Sequence, residues 1–253
     1  MKNSNCNRIF SGSDDKVDRQ AAYIWFKVKK TQVEMIQDRG IEIPEEERFL
    51  VDYDAESEES ELEWERRTLV EFVRKYTRKA QNDDTNFNTA LSNVYFDDRY
   101  GINTVVIYLC RERESSTITT HEFTTKFDYY YDKYYVEDVG LNMIFISEVS
   151  LNKKEEKVEK LNFVNSQSFL TEELIHNPTR HLFYFPHRLL TEEERKEWLL
   201  DNKIRPEQLS IIRKRDPIVK YFDWPVGGVV HIQRSERYLE MPVRDYPYLR
   251  VIK

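Results

Sequence analysis

The sequence predicts a two-domain protein of mixed α+β and α/β class. An N-terminal α/β domain spans 19–177 and a small C-terminal α+β domain spans 178–253, after a polar, disordered lead-in at 1–18. Three observations predict this. After three helical segments, strand-like and helical segments alternate from Ser92 to Lys160, as in an α/β layer. The charge changes sign along the chain: 24 Lys+Arg stand against 35 Asp+Glu in 1–177, and 15 against 11 in 178–253, balances of −11 and +4 within the net −7. Finally, an Asp216-Pro217 pair opens a short helix, a Gly227-Gly228 turn follows, and Val229-Val230-His231-Ile232-Gln233 reads as a strand.

Arg19–Gln37 forms the first helix, with Trp25, Val28 or Lys29, Gln32 or Val33, Met35 and Ile36 at helical spacing and Gly40 as its stop. Pro44 followed by Glu45, Glu46 and Glu47 starts a second, its acids complementing the helix dipole. The acidic stretch Asp52–Glu61 reads as a loop. A third helix runs from Leu62 to Lys79 with Leu62, Leu69, Phe72, Val73 and Tyr76 as its apolar stripe. Ser92–Phe96 is a short strand. Ile102–Glu114 is ambiguous: its Val-Val-Ile-Tyr-Leu centre favours a strand, while Asn103 or Thr104 suits a helix cap and Arg-Glu-Arg-Glu a helix end. Phe123–Val136 holds Tyr129, Tyr130, Tyr131, Tyr134 and Tyr135 among Asp and Lys. Without basic interleaving it suits a packed β-insertion or a subunit interface better than a stacking surface for nucleic acid. Leu141–Glu148 is a buried strand, and Leu151–Lys160 a surface helix.

The domain boundary falls between Asn177-Pro178 and Pro186-His187. Beyond it Thr191 and Glu194 form a capping box for a helix ending near Asp201. Gly227-Gly228 suits a hairpin turn, and Tyr248–Ile252 a strand of the same small sheet as Val229–Gln233.

Little in the chain points to catalysis. It has no phosphate loop, no GxGxxG and no nucleophile motif. His176, His181 and His187 lie close in sequence, but no Cys and no helical His pair accompanies them, which argues against a metal site. Asp83-Asp84 and Asp97-Asp98 are adjacent carboxylates in turn-like context, and neighbours in sequence project apart. Cys6 and Cys110 suggest neither a disulfide framework nor a zinc site. No apolar run approaches the roughly 20 residues that span a bilayer. The expectation is therefore no enzyme, no cofactor, no small-molecule ligand and no membrane partner. A pI near 5.5 argues against tight DNA binding by this chain alone.

Asp216-Pro217-Ile218, Lys220-Tyr221-Phe222, Gly227, Val229-Val230-His231-Ile232, Arg234-Ser235-Glu236 and Tyr248-Leu249-Arg250 follow one another in an order that resembles the fifth subunit of eukaryotic RNA polymerases and its archaeal counterpart. Leu189-Leu190-Thr191-Glu192-Glu193-Glu194 and Ile204-Arg205-Pro206-Glu207-Gln208-Leu209 resemble that family's entry helix and the extended piece after it. Upstream, Phe26–Thr31, Asp38-Arg39-Gly40, Gly101–Thr104 and the link from Glu173 to His187 resemble the eukaryotic form, with its N-terminal jaw domain. The Gly101–Thr104 likeness tips the ambiguous segment toward helix.

There are departures. Asp223-Trp224-Pro225 stands where the family often has Gly, Ser210 replaces a Pro, and Ser150–Lys154 replaces a Thr-Pro-Ser loop. The Tyr-rich stretch near 121–138 reads as an insertion, and Arg237–Tyr246 is altered. These departures suggest a divergent lineage, such as a large DNA virus encoding its own polymerase. That would place the protein in the nucleus if cellular, and in a virion or cytoplasmic factory if viral.

The resemblance implies a non-catalytic subunit of a DNA-dependent RNA polymerase, docked on the largest subunit beside its neighbours, with a lower jaw near the downstream duplex. A free-standing adaptor that binds polymerase through the same fold is the alternative. Lys153 and Lys154 are the expected DNA-proximal residues, and Asp216, Pro217, Lys220 and Arg234 the residues that shape docking.

Overall fold

The structure is a computed structural model that describes residues 19–56, 59–83, 85–109, 117–151, 158, 161, 163–233 and 248–253. The chain divides into two compact units, 1–176 and 177–253.

In the first unit, helices α1 (Arg19–Asp38), α2 (Glu45–Arg48), α3 (Glu61–Asn82) and α4 (Phe87–Leu91) precede strands β1 (Asn93–Asp97) and β2 (Ile102–Leu109). Helix α5 (Thr120–Tyr134) and strands β3 (Leu141–Ser147) and β4 (Val164–Leu170) follow. The sheet order is β1-β2-β3-β4, antiparallel between β1 and β2 and parallel in the other two pairs.

Ile102–Leu109 is strand β2, not the helix toward which the resemblance tips it. Its β-branched run is covered on both faces, which is why it lacks polar alternation. Val105, Ile107 and Leu109 join Met143 and Phe145 in one cluster with Phe123 of α5. Tyr108 instead sets its ring 6.0 Å from Trp25 of α1. The Arg-Glu-Arg-Glu tail and Cys110 lie outside the described residues.

The tyrosine-rich segment is helix α5, not a β-insertion. Phe123, Phe127, Tyr131 and Tyr135 stack at i, i+4 spacing with ring centroids 6.3, 5.5 and 4.7 Å apart. Tyr130 and Tyr134 pack against the same cluster, while Tyr129 stays exposed. The segment reads as a strand if tyrosine's β-propensity is weighed above its spacing; the spacing prevails.

Helix α3 starts at a capping box, Ser60 Oγ accepting from Glu63 N at 3.3 Å and Ser60 N donating to Glu63 Oε2 at 3.2 Å. Its buried face is Trp64, Thr68, Phe72, Tyr76 and Ala80. The expected stripe is thus partly wrong: Leu62 is 57% exposed, and Leu69 and Val73 are half-buried. Gly40 ends α1 at φ +76°, a left-handed turn open to glycine at no steric cost.

Both residues at each either/or position of α1 are buried, so Lys29 and Gln32 are withdrawn from water along with Val28 and Val33. The Lys29 ammonium lies 2.8 Å from Glu47 Oε1 of α2. It also donates to Gln32 Oε1 at 2.8 Å, to Leu91 O at 3.0 Å and to Tyr95 Oη at 3.2 Å. Glu47 further accepts from the Tyr76 hydroxyl at 2.9 Å and from the Tyr95 hydroxyl. Burial pushes the Glu47 carboxyl up, but the Lys29 charge and the donated hydrogen bonds outweigh it and hold the group below its ordinary value.

Removing one partner leaves the other buried without its counter-ion. Lys29→Met or Glu47→Leu should each destabilise the first unit by about 3–5 kcal/mol, and the double variant by less than their sum; urea unfolding of the three variants checks this. A free Glu titrates near ~4.3, above folded Glu47, so the unfolded chain takes up the proton first. The contribution of Glu47 is therefore complete about one pH unit above the unfolded value and is lost progressively as pH falls from there through the folded value. Melting temperatures recorded down to pH ~3 should drop more steeply for the native protein than for the double variant.

Candidate subunit-docking unit

Strand β5 (His187–Leu189) opens the sheet of the second unit, and helix α6 (Glu192–Asp201) follows. Next come β6 (Ser210–Ile212), helix α7 (Pro217–Phe222), β7 (Val229–Ile232) and β8 (Tyr248–Ile252). The sheet order is β5-β7-β8-β6, with β6 parallel to β8 and the other pairs antiparallel.

Alternation along β7 and β8 gives each face of the sheet its own cover. Val229, Leu249 and Val251 meet Trp198 and Leu199 of α6. Val230, Ile232 and Ile252 meet Val219 of α7. Gly227-Gly228 leads from α7 into β7 and joins no two adjacent strands, so it is not a hairpin turn: Gly228 N donates to Pro225 O at 3.1 Å, closing a tight turn, and Gly227 N donates to Ile252 O of β8. The capping box of α6 is formed, Glu194 N donating to Thr191 Oγ1 at 3.2 Å and Thr191 N to Glu194 Oε2 at 2.9 Å.

Asp216 caps α7, its Oδ1 accepting from Ile218 N at 3.0 Å, and Pro217 occupies the first turn, where its missing N–H costs nothing. Lys220 is half-buried on the same helix, so these three candidates stand together. Arg234, Lys153 and Lys154 lie outside the described residues, as does most of the Leu151–Lys160 segment; Leu151 and Val158 are both buried in the first unit's core. No group of three or more His, Cys, Asp or Glu side chains that could hold a metal occurs among the described residues. His187 is half-buried, and burial pushes its ring pKa down. Among the described residues no helix is long and apolar enough to cross a membrane.

The structure accounts for the Asp-Trp-Pro departure. Asp223 closes α7 in the left-handed conformation, φ +55°, ψ +37°, which glycine adopts freely. An aspartate there costs on the order of 1 kcal/mol, offset by Lys214, whose ammonium reaches Asp223 Oδ1 at 2.7 Å and Trp224 O at 2.9 Å. Trp224 packs inward and stacks on Phe222 with ring centroids 4.8 Å apart. The sequence alone gives no sign of the Lys214 contact, because its partner is nine residues away across the helix.

A profile of the family described as "RNA polymerase Rpb5, C-terminal domain" matches residues 176–243, beginning one residue before the second unit. The chain is 41% identical over 76 residues to DNA-directed RNA polymerase subunit Rpo5 of Pyrococcus horikoshii, which covers 30% of this chain and 88% of the relative. It is 37% identical over 71 residues to the rpabc1 subunit of RNA polymerases I, II and III of Dictyostelium discoideum, 28% of this chain and 36% of the relative. The Caenorhabditis elegans RPABC1 subunit is 38% identical over 68 residues, 27% of this chain and 32% of the relative. The match thus spans most of the archaeal relative and about a third of the eukaryotic ones.

The second unit is therefore a polymerase-subunit domain by class. The chain belongs to the Rpb5/RPABC1/Rpo5 family of RNA polymerase subunits, as distant kin.

Asp223→Ala should destabilise the second unit by about 1–2 kcal/mol, through a strained left-handed alanine and a lost ion pair. Asp223→Gly should recover most of that loss. Thermal melts of the full chain, followed by Trp fluorescence, check the order.

Proposed function

We propose that this chain is a non-catalytic subunit of a multisubunit DNA-dependent RNA polymerase. Its second unit docks on the largest subunit, and its first unit is a lower jaw near the downstream duplex. The observation that carries the reading is the family match over residues 176–243, which coincides with one compact unit of this chain, beside a match that covers 88% of an archaeal polymerase subunit. The small unit is mildly basic and suits an acidic protein partner, whereas the acidic jaw avoids gripping DNA. Sliding contacts to phosphate then fall to a few cations that carry no sequence information, and Lys153 and Lys154 are those cations. Asp216, Pro217, Lys220 and Arg234 shape the docking unit, the first two by starting α7.

Purification of the polymerase from cells expressing a tagged largest subunit should recover this chain in a 1:1 ratio. Its loss from the core under moderate salt, with binding only to transcription factors, would favour the adaptor instead. Lys153→Glu with Lys154→Glu should leave incorporation unchanged while weakening downstream-DNA engagement several-fold at low salt, less at high salt. Failure of incorporation in that variant would contradict the division of labour between the units.

A further inference from the structure

The second unit carries a groove that the docking reading does not use. Leu190, Trp198 and Leu249 give a cavity of about 280 Å³ an apolar lining, Glu194, Glu197 and Asp201 an acidic one, and Arg188 and His231 complete it. The three acids recur at i, i+3 and i+7, so α6 turns them to one side. Glu194 is engaged: its carboxylate holds Arg188 at 2.7 Å and caps its own helix. Glu197 and Asp201 are exposed and have no ion-pair partner among the described residues. Arg188 is taken up by Glu194, so a unit whose charge balance is +4 still presents these two carboxylates, without ion-pair partners among the described residues, in a groove lined by Trp198.

We infer that this groove is a docking site for a protein segment carrying an arginine or lysine beside an aliphatic residue; the inference rests on the chain being a polymerase subunit, and the segment belongs to another subunit. Charge complementarity selects the occupant. A cation entering between Glu197 and Asp201 lays its methylene stem over the Trp198 ring, where the aromatic face attracts the charge as well. The aliphatic neighbour meets Leu190 and Leu249. Nucleic acid is disfavoured, because phosphates would face carboxylates.

The test uses the whole polymerase containing Glu197→Cys labelled with benzophenone maleimide, against the wild-type chain carried through the same labelling. Irradiation should cross-link position 197 to a segment of another subunit with Lys or Arg beside an aliphatic residue. Separately, Glu197→Lys with Asp201→Lys, which leaves the Thr191–Glu194 cap intact, should lower retention in the polymerase about three- to tenfold at low salt, the range for two exposed ion pairs. Incorporation with no cross-link, a cross-link within the same chain or to an acidic segment, or unchanged retention of the double variant would overturn the groove while leaving the family reading intact. Absence of the native chain from polymerase would overturn both.

Discussion

A lysine and a glutamate, both withdrawn from water, tie four elements of the first unit together. Lys29 comes from α1 and Glu47 from α2, while the hydroxyls that complete the site come from Tyr76 of α3 and Tyr95 of β1. Four elements therefore have to arrive together before either charge is satisfied. Desolvating two ions is expensive, and the pair is tolerated because nearly every lone pair and proton around it finds a partner. The Lys29 ammonium also lies 5.8 Å from the centroids of the Tyr95 and Tyr108 rings, which adds attraction from the aromatic faces. A hub of this kind specifies one arrangement of α1, α2 and α3 against the edge strand β1.

The second unit solves its packing differently. Its four-stranded sheet is covered by α6 on one face and α7 on the other, so the cores are apolar and the polar interactions sit at turns and caps. At the close of α7 an aspartate, Asp223, holds the left-handed conformation that suits glycine, and Lys214 reaches its carboxylate.

Much of this was legible in the residues. Asp216-Pro217, Thr191 with Glu194, and Gly40 announce helix ends by chemistry that acts within a few residues, and all three behave as such. Ser60 with Glu63 carries the same signal, but it lies inside an acidic run that reads as loop. What failed was the resemblance at Gly101–Thr104, and single-residue preference where it was set above spacing. Ile102–Glu114 has a strand-like centre and a helix-like tail, and for Ile102–Leu109 pairing with strands on both sides decides it. The tyrosines of α5 favour strands individually and a helix by their spacing. The Lys29–Glu47 pair was out of reach, since no sequence pattern says that a lysine on a helix will meet a glutamate eighteen residues later in a dry core. Lys214 and Asp223 belong to the same class of contact.

The central claim is that the second unit joins the polymerase and leaves the first unit to its own task. Hydrogen–deuterium exchange on the full chain, free and within purified polymerase, tests it most directly. The account predicts that assembly slows exchange mainly in 177–233 and 248–253, while the amides of α1, β2 and β3 keep the rates of the free chain. Protection confined to 19–176, or equal rates in both states throughout, would contradict it.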